Sequence, residues 1–234
     1  MKNKKYLWSL LALCIAIVMG LGLASCGDDE DEDTHEETEQ TIGKLSCLDG
    51  KHPHVIDLGL PSGTKWACCN VGATKPEDFG GYYAWGETEE NTTYSWNTYI
   101  HCDGSEQTCH HLGSDIAGTE YDVANVKWGG SWVMPSYDQL NELLDNCTST
   151  WTTLNGVHGR FFTGTNGSSI FLPASGCHYD SNLFGADLCG CYWTSTQSPL
   201  NSNLTYYLYF YPGYATIGYY LRFSGLSVRP VVRK

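Results

Sequence analysis

Trp128 to Cys147 reads WGGSWVMPSYDQLNELLDNC, and this stretch decides the fold class. Ser136 is a good N-cap, Gln139 three positions on completes a capping box, and Met134 precedes the cap. Leu140, Leu143, Leu144 and Cys147 then fall at i, i+3, i+4 and i+7, which is one face of a helix. The spacing predicts one clear helix over about 136–147, docked through that face on a sheet. The cap contributes about 1 kcal/mol.

On either side of the helix the text is that of short strands and turns. HVIDLGLPSGTKWACCNVGAT, from His54, predicts two strands around the turn Leu60-Pro61-Ser62-Gly63. KPEDFGGYYAWGE then predicts a turn or short helix at Pro76–Phe79 and an aromatic strand after it. From about Thr88 to Gly118 no period is visible, and a long irregular excursion is expected there. GRFFTGT and SSIFLPASG flank Asn166-Gly167, the strongest short hairpin signal in the chain. YYLYFY alternates strictly, with Tyr206, Leu208 and Phe210 on one face and Tyr207, Tyr209 and Tyr211 on the other. GYYLRF follows the turn at Pro212 and Gly213, and SVRPVV predicts a short last strand. Together these define an α+β domain with antiparallel sheets and a long irregular loop region.

The beginning of the chain carries a different message. Lys2, Lys4 and Lys5 precede an apolar run that ends Leu23-Ala24-Ser25-Cys26, the pattern of an export signal over 1–25. Its ending resembles a bacterial lipobox, which implies that Cys26 is acylated and that a lipid membrane is the first partner. Residues 26–43 include nine acidic residues between Asp28 and Glu39 and read as a disordered tether. Acidic residues just after such a cysteine also resemble the surface-export signal of lipoproteins in Bacteroides-like bacteria. An outer-membrane location, with the cell surface favoured, is therefore expected. The net charge of −13 and the lack of any basic face argue against a nucleic-acid partner. Residues 44–234 are long enough for one domain with a sizeable core.

Several ordered motifs, VIDLGLPSGTKWACCNVGA, YYAWGET, WGGSWVMPSYDQLNELLDNCTSTWTT, IFLPASG, YWTST and SVRPV, resemble the Fibrobacter succinogenes major paralogous domain. They run from about Val55 to Val231. That family is similar in turn to the C-type lectin-like fold, shared with formylglycine-generating enzymes. The resemblance implies one or two helices, antiparallel sheets and a loop region that does the binding. Trp66, Asn70, Gly72, Trp85, Gly86, Trp132, Pro135, Leu143, Trp193 and Arg229 sit in the matching motifs, and each has an ordinary structural role, with Arg229 satisfying buried carbonyls. Cys68 and the cysteines at 102, 109, 177, 189 and 191 depart from the pattern.

The chemistry in the text points away from catalysis. No GxSxG elbow, HExxH pair or phosphate-cradling glycine loop occurs, and Cys189-Gly190-Cys191 lacks the surroundings of a formylglycine-generating cysteine pair. No enzyme activity and no cofactor are expected. The Glu-Pro-Asn and Trp-Asn-Asp elements of calcium-dependent lectins are missing; the nearest text is Lys75-Pro76-Glu77-Asp78 and Ser95-Trp96-Asn97-Thr98. Asp115, Glu120 and Asp122 read as loop carboxylates, with calcium as the less favoured alternative. Trp96, Tyr99, Tyr207, Tyr209, Tyr211 and Tyr214 are candidates for stacking on a glycan, and exposed aromatics serve a protein partner equally well.

Nine cysteines remain once Cys14 and Cys26 are set aside, an odd number, and an exported chain pairs most of them. Cys69, Cys102, Cys109, Cys147, Cys177 and Cys189 are the disulfide candidates, with connectivity open. In HCDGSEQTCHH (101–111) the adjacent histidines and cysteines diverge too much for the usual zinc spacing, which favours a Cys102–Cys109 bond over metal. Such a staple would present His110 and His111 to a ligand. The function expected is a lipid-anchored, non-catalytic binding module for glycan or protein, or else a structural member of a surface assembly, with a cryptic enzyme related to formylglycine-generating enzymes as the least favoured alternative.

Overall fold

Ser136 caps the helix in the manner its sequence requires. Its hydroxyl accepts from the Gln139 N–H at 3.2 Å, and Gln139 Oε1 accepts from the Ser136 N–H at 2.9 Å. The computed structural model describes residues 55–233, so the leader, Cys26, the acidic tether and Cys47 lie outside the described residues. Helix α2 runs Tyr137–Asn146, preceded by α1 (Val123–Trp128). The strands are β1 (Val55–Asp57), β2 (Lys65–Ala67), β3 (Trp132–Val133), β4 (Thr148–Leu154), β5 (Val157–Thr163), β6 (Ser169–Pro173), β7 (Cys177–Tyr179), β8 (Asn182–Phe184), β9 (Gly190–Gln197), β10 (Leu204–Tyr211), β11 (Tyr214–Leu221) and β12 (Val231–Val232). The described part is thus an α+β arrangement in which antiparallel sheets dominate.

Among the described residues four sheets form, in the orders β1-β2-β12-β3, β11-β10-β9, β4-β5-β6 and β7-β8. In the first, β12 lies between β2 and β3, pairing Val231 with Trp66 on one side and Val133 on the other. The main core gathers Leu140 and Leu143 of α2 with Trp66, Val133, Phe162, Ile170, Leu172, Tyr192, Leu208 and Phe210. Apolar faces from three sheets and one helix therefore close on a single interior. Leu144 and Cys147 pack against it from the rim, completing the face read from the heptad-like spacing.

The turns follow their chemistry. Gly63 N–H reaches Leu60 O at 2.8 Å, and the Glu142 carboxylate of α2 accepts both the N–H and the hydroxyl of Ser62. That charge-assisted pair docks the β1–β2 turn on the helix. At the β5–β6 turn Asn166 Oδ1 accepts from Ser168 N–H at 2.9 Å, and Gly167 takes a φ of 82°, which a side chain would disfavour. The β10–β11 hairpin pairs without interruption from Leu204 with Leu221 to Tyr211 with Tyr214.

Arg229 is buried under the first sheet. Its Nε donates to Asn70 Oδ1 at 2.8 Å, Nη1 to the carbonyls of Ala67 and Cys68, and Nη2 to Phe171 O at 2.9 Å. The carbonyl-satisfying role read for this residue is what its geometry provides. Trp66, Trp85 and Trp193 are fully buried as core anchors, whereas Trp132 is only half-buried.

Two expectations need correction, and two elements form where none was predicted. The aromatic strand after Phe79 does not form: Tyr83 makes a single bridge to Leu226, and Trp85 N–H reaches Arg222 O. A ladder cannot extend there, because the partner segment turns back on itself at Ser224, whose N–H bonds to Leu221 O. Helix α1 falls where the sequence predicts no element, and Asp122 is not the loop carboxylate expected. Asp122 is its cap and is fully buried, accepting from the N–H groups of Gly118, Ala124, Asn125 and Met134. Those donors use its oxygens for folding and leave none for calcium. Burial pushes the Asp122 pKa up, against the opposing pull of these four donors. TSTWTTL after α2, for which the sequence predicts no element, is a full strand, β4.

Candidate functional site

Strand β10 lies between β9 and β11, and its alternation gives the sheet two unlike faces. Leu208 and Phe210 are buried in the core. The opposite face carries Tyr207, Tyr209 and Tyr211, with Tyr214 following across the turn. Their rings step along the strand with centroids 6.2, 5.8 and 6.0 Å apart, each tilted against the next by 46–50°. Exposure rises along this ladder from 6 % at Tyr207 to 49 % at Tyr214. Tyr207 is held at the inner end between Trp193, 6.5 Å away, and Tyr220, 5.1 Å away. Gly218, its partner on β11, leaves the space into which its ring leans.

Arg160 fixes the outer end. Its Nη2 donates to the carbonyls of Tyr211 and Pro212 at 3.1 and 3.0 Å, and its Nη1 to Ser149 Oγ at 2.6 Å. The hairpin tip that carries Tyr211 and Tyr214 is thereby tied to the β4–β5 pair. On that pair Trp151 stacks on His158 at 5.9 Å with the rings 15° apart, and His158 Nδ1 stands 3.0 Å from Asp187 Oδ2. Against the upward pull of its own desolvation, Asp187 is held below the usual carboxylate value by the His158 N–H and imidazole. Trp151, His158 and Asp187 were not singled out in the sequence. The pair joins residues on separate elements, and no spacing rule signals it.

The structure separates the other aromatic candidates from this face. Tyr99 is buried at 2 % exposure, its hydroxyl donating to Trp85 O at 2.6 Å and accepting from Arg222 Nε at 2.8 Å. It is a core residue of the excursion and unavailable to a ligand. Trp96, half-buried, packs edge-on against Phe223 with ring centroids 4.6 Å apart. His110 and His111 are exposed, and His110 Nε2 lies 3.5 Å from Asp103.

The cysteines fall into distinct settings. Among the described residues no two sulfurs stand at bonding distance. The Cys102 and Cys109 thiols nevertheless meet within hydrogen-bonding reach, and burial pushes the Cys109 thiol up to about 11. The HCDGSEQTCHH loop thus brings its two thiols within reach of each other, whereas its spacing favoured a disulfide bond between them. Cys69 directs its thiol to Ala73 O at 3.5 Å, and Cys147 is the C-cap residue of α2. Cys177 and Cys189 both converge on Cys191, which the sequence reading had left out of the candidates.

Among the described residues no three His, Cys, Asp or Glu side chains are arranged to hold a metal ion, and no helix is long and apolar enough to cross a membrane. No family model matches the chain, and no curated protein or solved structure matches it either.

Proposed function

We propose that this domain is a non-catalytic, glycan-binding module of C-type lectin-like fold, held at the bacterial outer membrane by an acylated Cys26 and favouring the cell surface. The observation that supports it best is the tyrosine ladder: four rings in register on one face, graded from buried to open. Sugar rings bury their C–H faces on aromatic faces while their hydroxyls bond to polar rims, and Tyr supplies both surfaces in one rigid side chain. The run of nine acidic residues between Asp28 and Glu39 suits the same reading, since its composition is that of a self-repelling spacer.

A glycan array probed with the full chain tests the proposal. Tyr209→Ala, Tyr211→Ala and Tyr214→Ala should each weaken binding roughly tenfold, about 1.4 kcal/mol, while far-UV circular dichroism stays unchanged. Absence of any glycan binding, together with co-purification of one envelope protein, would replace the glycan by a protein ligand and make the chain a structural member of a surface assembly. The anchor is tested in the same cells: Cys26→Ser should move the protein out of the membrane fraction, and an unchanged membrane-bound form would refute lipidation.

A further inference from the structure

Cys177, Cys189 and Cys191 form a buried cluster of three sulfurs, with exposures of 7, 3 and 3 %. Cys191 is the hub, within side-chain hydrogen-bonding reach of both others. Backbone geometry explains the convergence. Gly176 and Gly190 form a parallel bridge, and Gly176 N–H donates to Cys189 O at 2.8 Å, which makes Cys177 and Cys191 lateral neighbours. Cys189 and Cys191 are two residues apart on one strand and share a face. Gly190 between them faces the other way, where the Phe210 ring leaves no room for a side chain. Cys177 Sγ also lies 3.6 Å from the Tyr220 hydroxyl, and Cys191 is the register partner of Tyr209. The cluster therefore sits on the tyrosine-bearing face of the sheet.

We infer that this cluster is an oxidation site whose resting product is a Cys177–Cys191 disulfide, with Cys189 retained as a thiol able to exchange into it. The choice of partner follows from strand geometry. The bridge between Gly176 and Gly190, one residue before Cys177 and Cys191, brings the two backbones to about the 4.8 Å strand spacing, well inside the range a disulfide spans. Alternate residues of one strand stand about 6.6 Å apart, at its long end. Oxidation begins at Cys177, the most exposed of the three. Its thiolate attacks an external disulfide, releasing one thiol and leaving a mixed disulfide. The Cys191 thiolate then attacks the Cys177 sulfur, expelling the second thiol and closing the internal bond. Two electrons and two protons have passed to the external disulfide. In the exchange, the Cys189 thiolate attacks the Cys191 sulfur and Cys177 leaves as the thiolate, with no net redox change.

Disulfide mapping of the full chain decides the matter and does not depend on glycan binding. The protein is equilibrated in oxidised and reduced glutathione, alkylated under denaturing conditions and digested with chymotrypsin without reduction. The expected product links the peptide containing Cys177 to the one containing Cys189 and Cys191, with the alkyl group on Cys189. Cys189→Ala should keep that link, Cys177→Ala should move the bond to Cys189–Cys191, and Cys191→Ala should leave Cys177 and Cys189 both alkylated. Three alkylated cysteines in the wild-type chain at every glutathione ratio would overturn the inference. So would a Cys177 link that survives Cys191→Ala. The wild-type map stands whether or not the variants fold.

Discussion

Arg229 and Arg222 are both buried, both held by carbonyl oxygens, and placed in opposite kinds of structure. Arg229 serves a region of regular strands, where its guanidinium collects Asn70 and three carbonyls from β2's edge and β6. Arg222 serves the irregular excursion. Its Nε meets the Tyr99 hydroxyl, its Nη1 meets the carbonyls of His110 and Ser202 at 2.9 and 2.8 Å, and its charge lies 4.6 Å from the centre of the Trp85 ring. Its Nη2 is buried with no hydrogen-bond partner. Where strands pair, an arginine adds to a ladder that already exists; where they do not, it takes the ladder's place. The planar fork of five donors makes either use feasible, and lysine offers nothing equivalent.

That contrast can be broken by substitution. Arg229→Ala leaves four buried acceptors short of a donor, each costing about 1–3 kcal/mol, and should lower stability by about 4 kcal/mol or more. At about 2–4 °C per kcal/mol for a domain of this size, calorimetry should show a melting point down by about 10 °C. Arg222→Met should cost about 2 kcal/mol, half as much, because one of its nitrogens is already unpartnered and methionine still covers Trp85. Its effect should also be local, with hydrogen exchange accelerated over 95–111 and unchanged in β10 and β11. Equal losses from the two substitutions, or uniform exchange, would erase the distinction between the two regions.

Acid provides the smallest and most selective probe. Burial lowers the pKa of His101 below its ordinary 6.5, assisted by Arg222 and His110 and opposed by its bond to Gly86 O; burial likewise lowers His178, opposed by Glu90. The unfolded chain therefore binds more protons than the folded one in this window. Stability is fully present above pH about 6.5 and is lost as pH falls through the depressed folded values. Thermal melts between pH 7 and 5 should fall, and His101→Gln should flatten the slope. Glu87, whose pKa burial raises, works in the opposite sense by favouring folding at low pH, so the His101 substitution isolates the histidine share. A slope unchanged by His101→Gln would remove the excursion from the pH response.

The two regions also differ in how far their sequence could be read. Helix α2 was legible because a capping box and a 3.6-residue period coincide, and β10 because six residues alternate without exception. The hairpins at Asn166-Gly167 and Pro212-Gly213 were legible from turn chemistry alone. Helix α1 was not, since six residues complete no apolar period, and its cap Asp122 looked like any loop carboxylate. Tyr99 was misplaced for a related reason: in a segment without period, nothing in the sequence separates a ring facing solvent from one capping a buried arginine. The tyrosine candidates on β10 were legible, and Tyr214, the most exposed of the ladder, with them, yet Tyr207 is closed off by Trp193 and Tyr220. The meeting of Cys177 with Cys191 depends on a bridge between two glycines, a relation of backbone paths that no cysteine spacing encodes.

The position of β12 governs the order of events in biosynthesis. It enters between β2 and β3, and Arg229 just before it clasps Ala67, 162 positions earlier in the chain. The sheet containing β1 and β2 thus has a gap in its middle until the residues between β3 and β12 have been synthesised. Contacts of such long range form late, because a large loop must close before they are rewarded. β12 is thus the bolt of this sheet, slid home only after the chain between it and β3 has been placed.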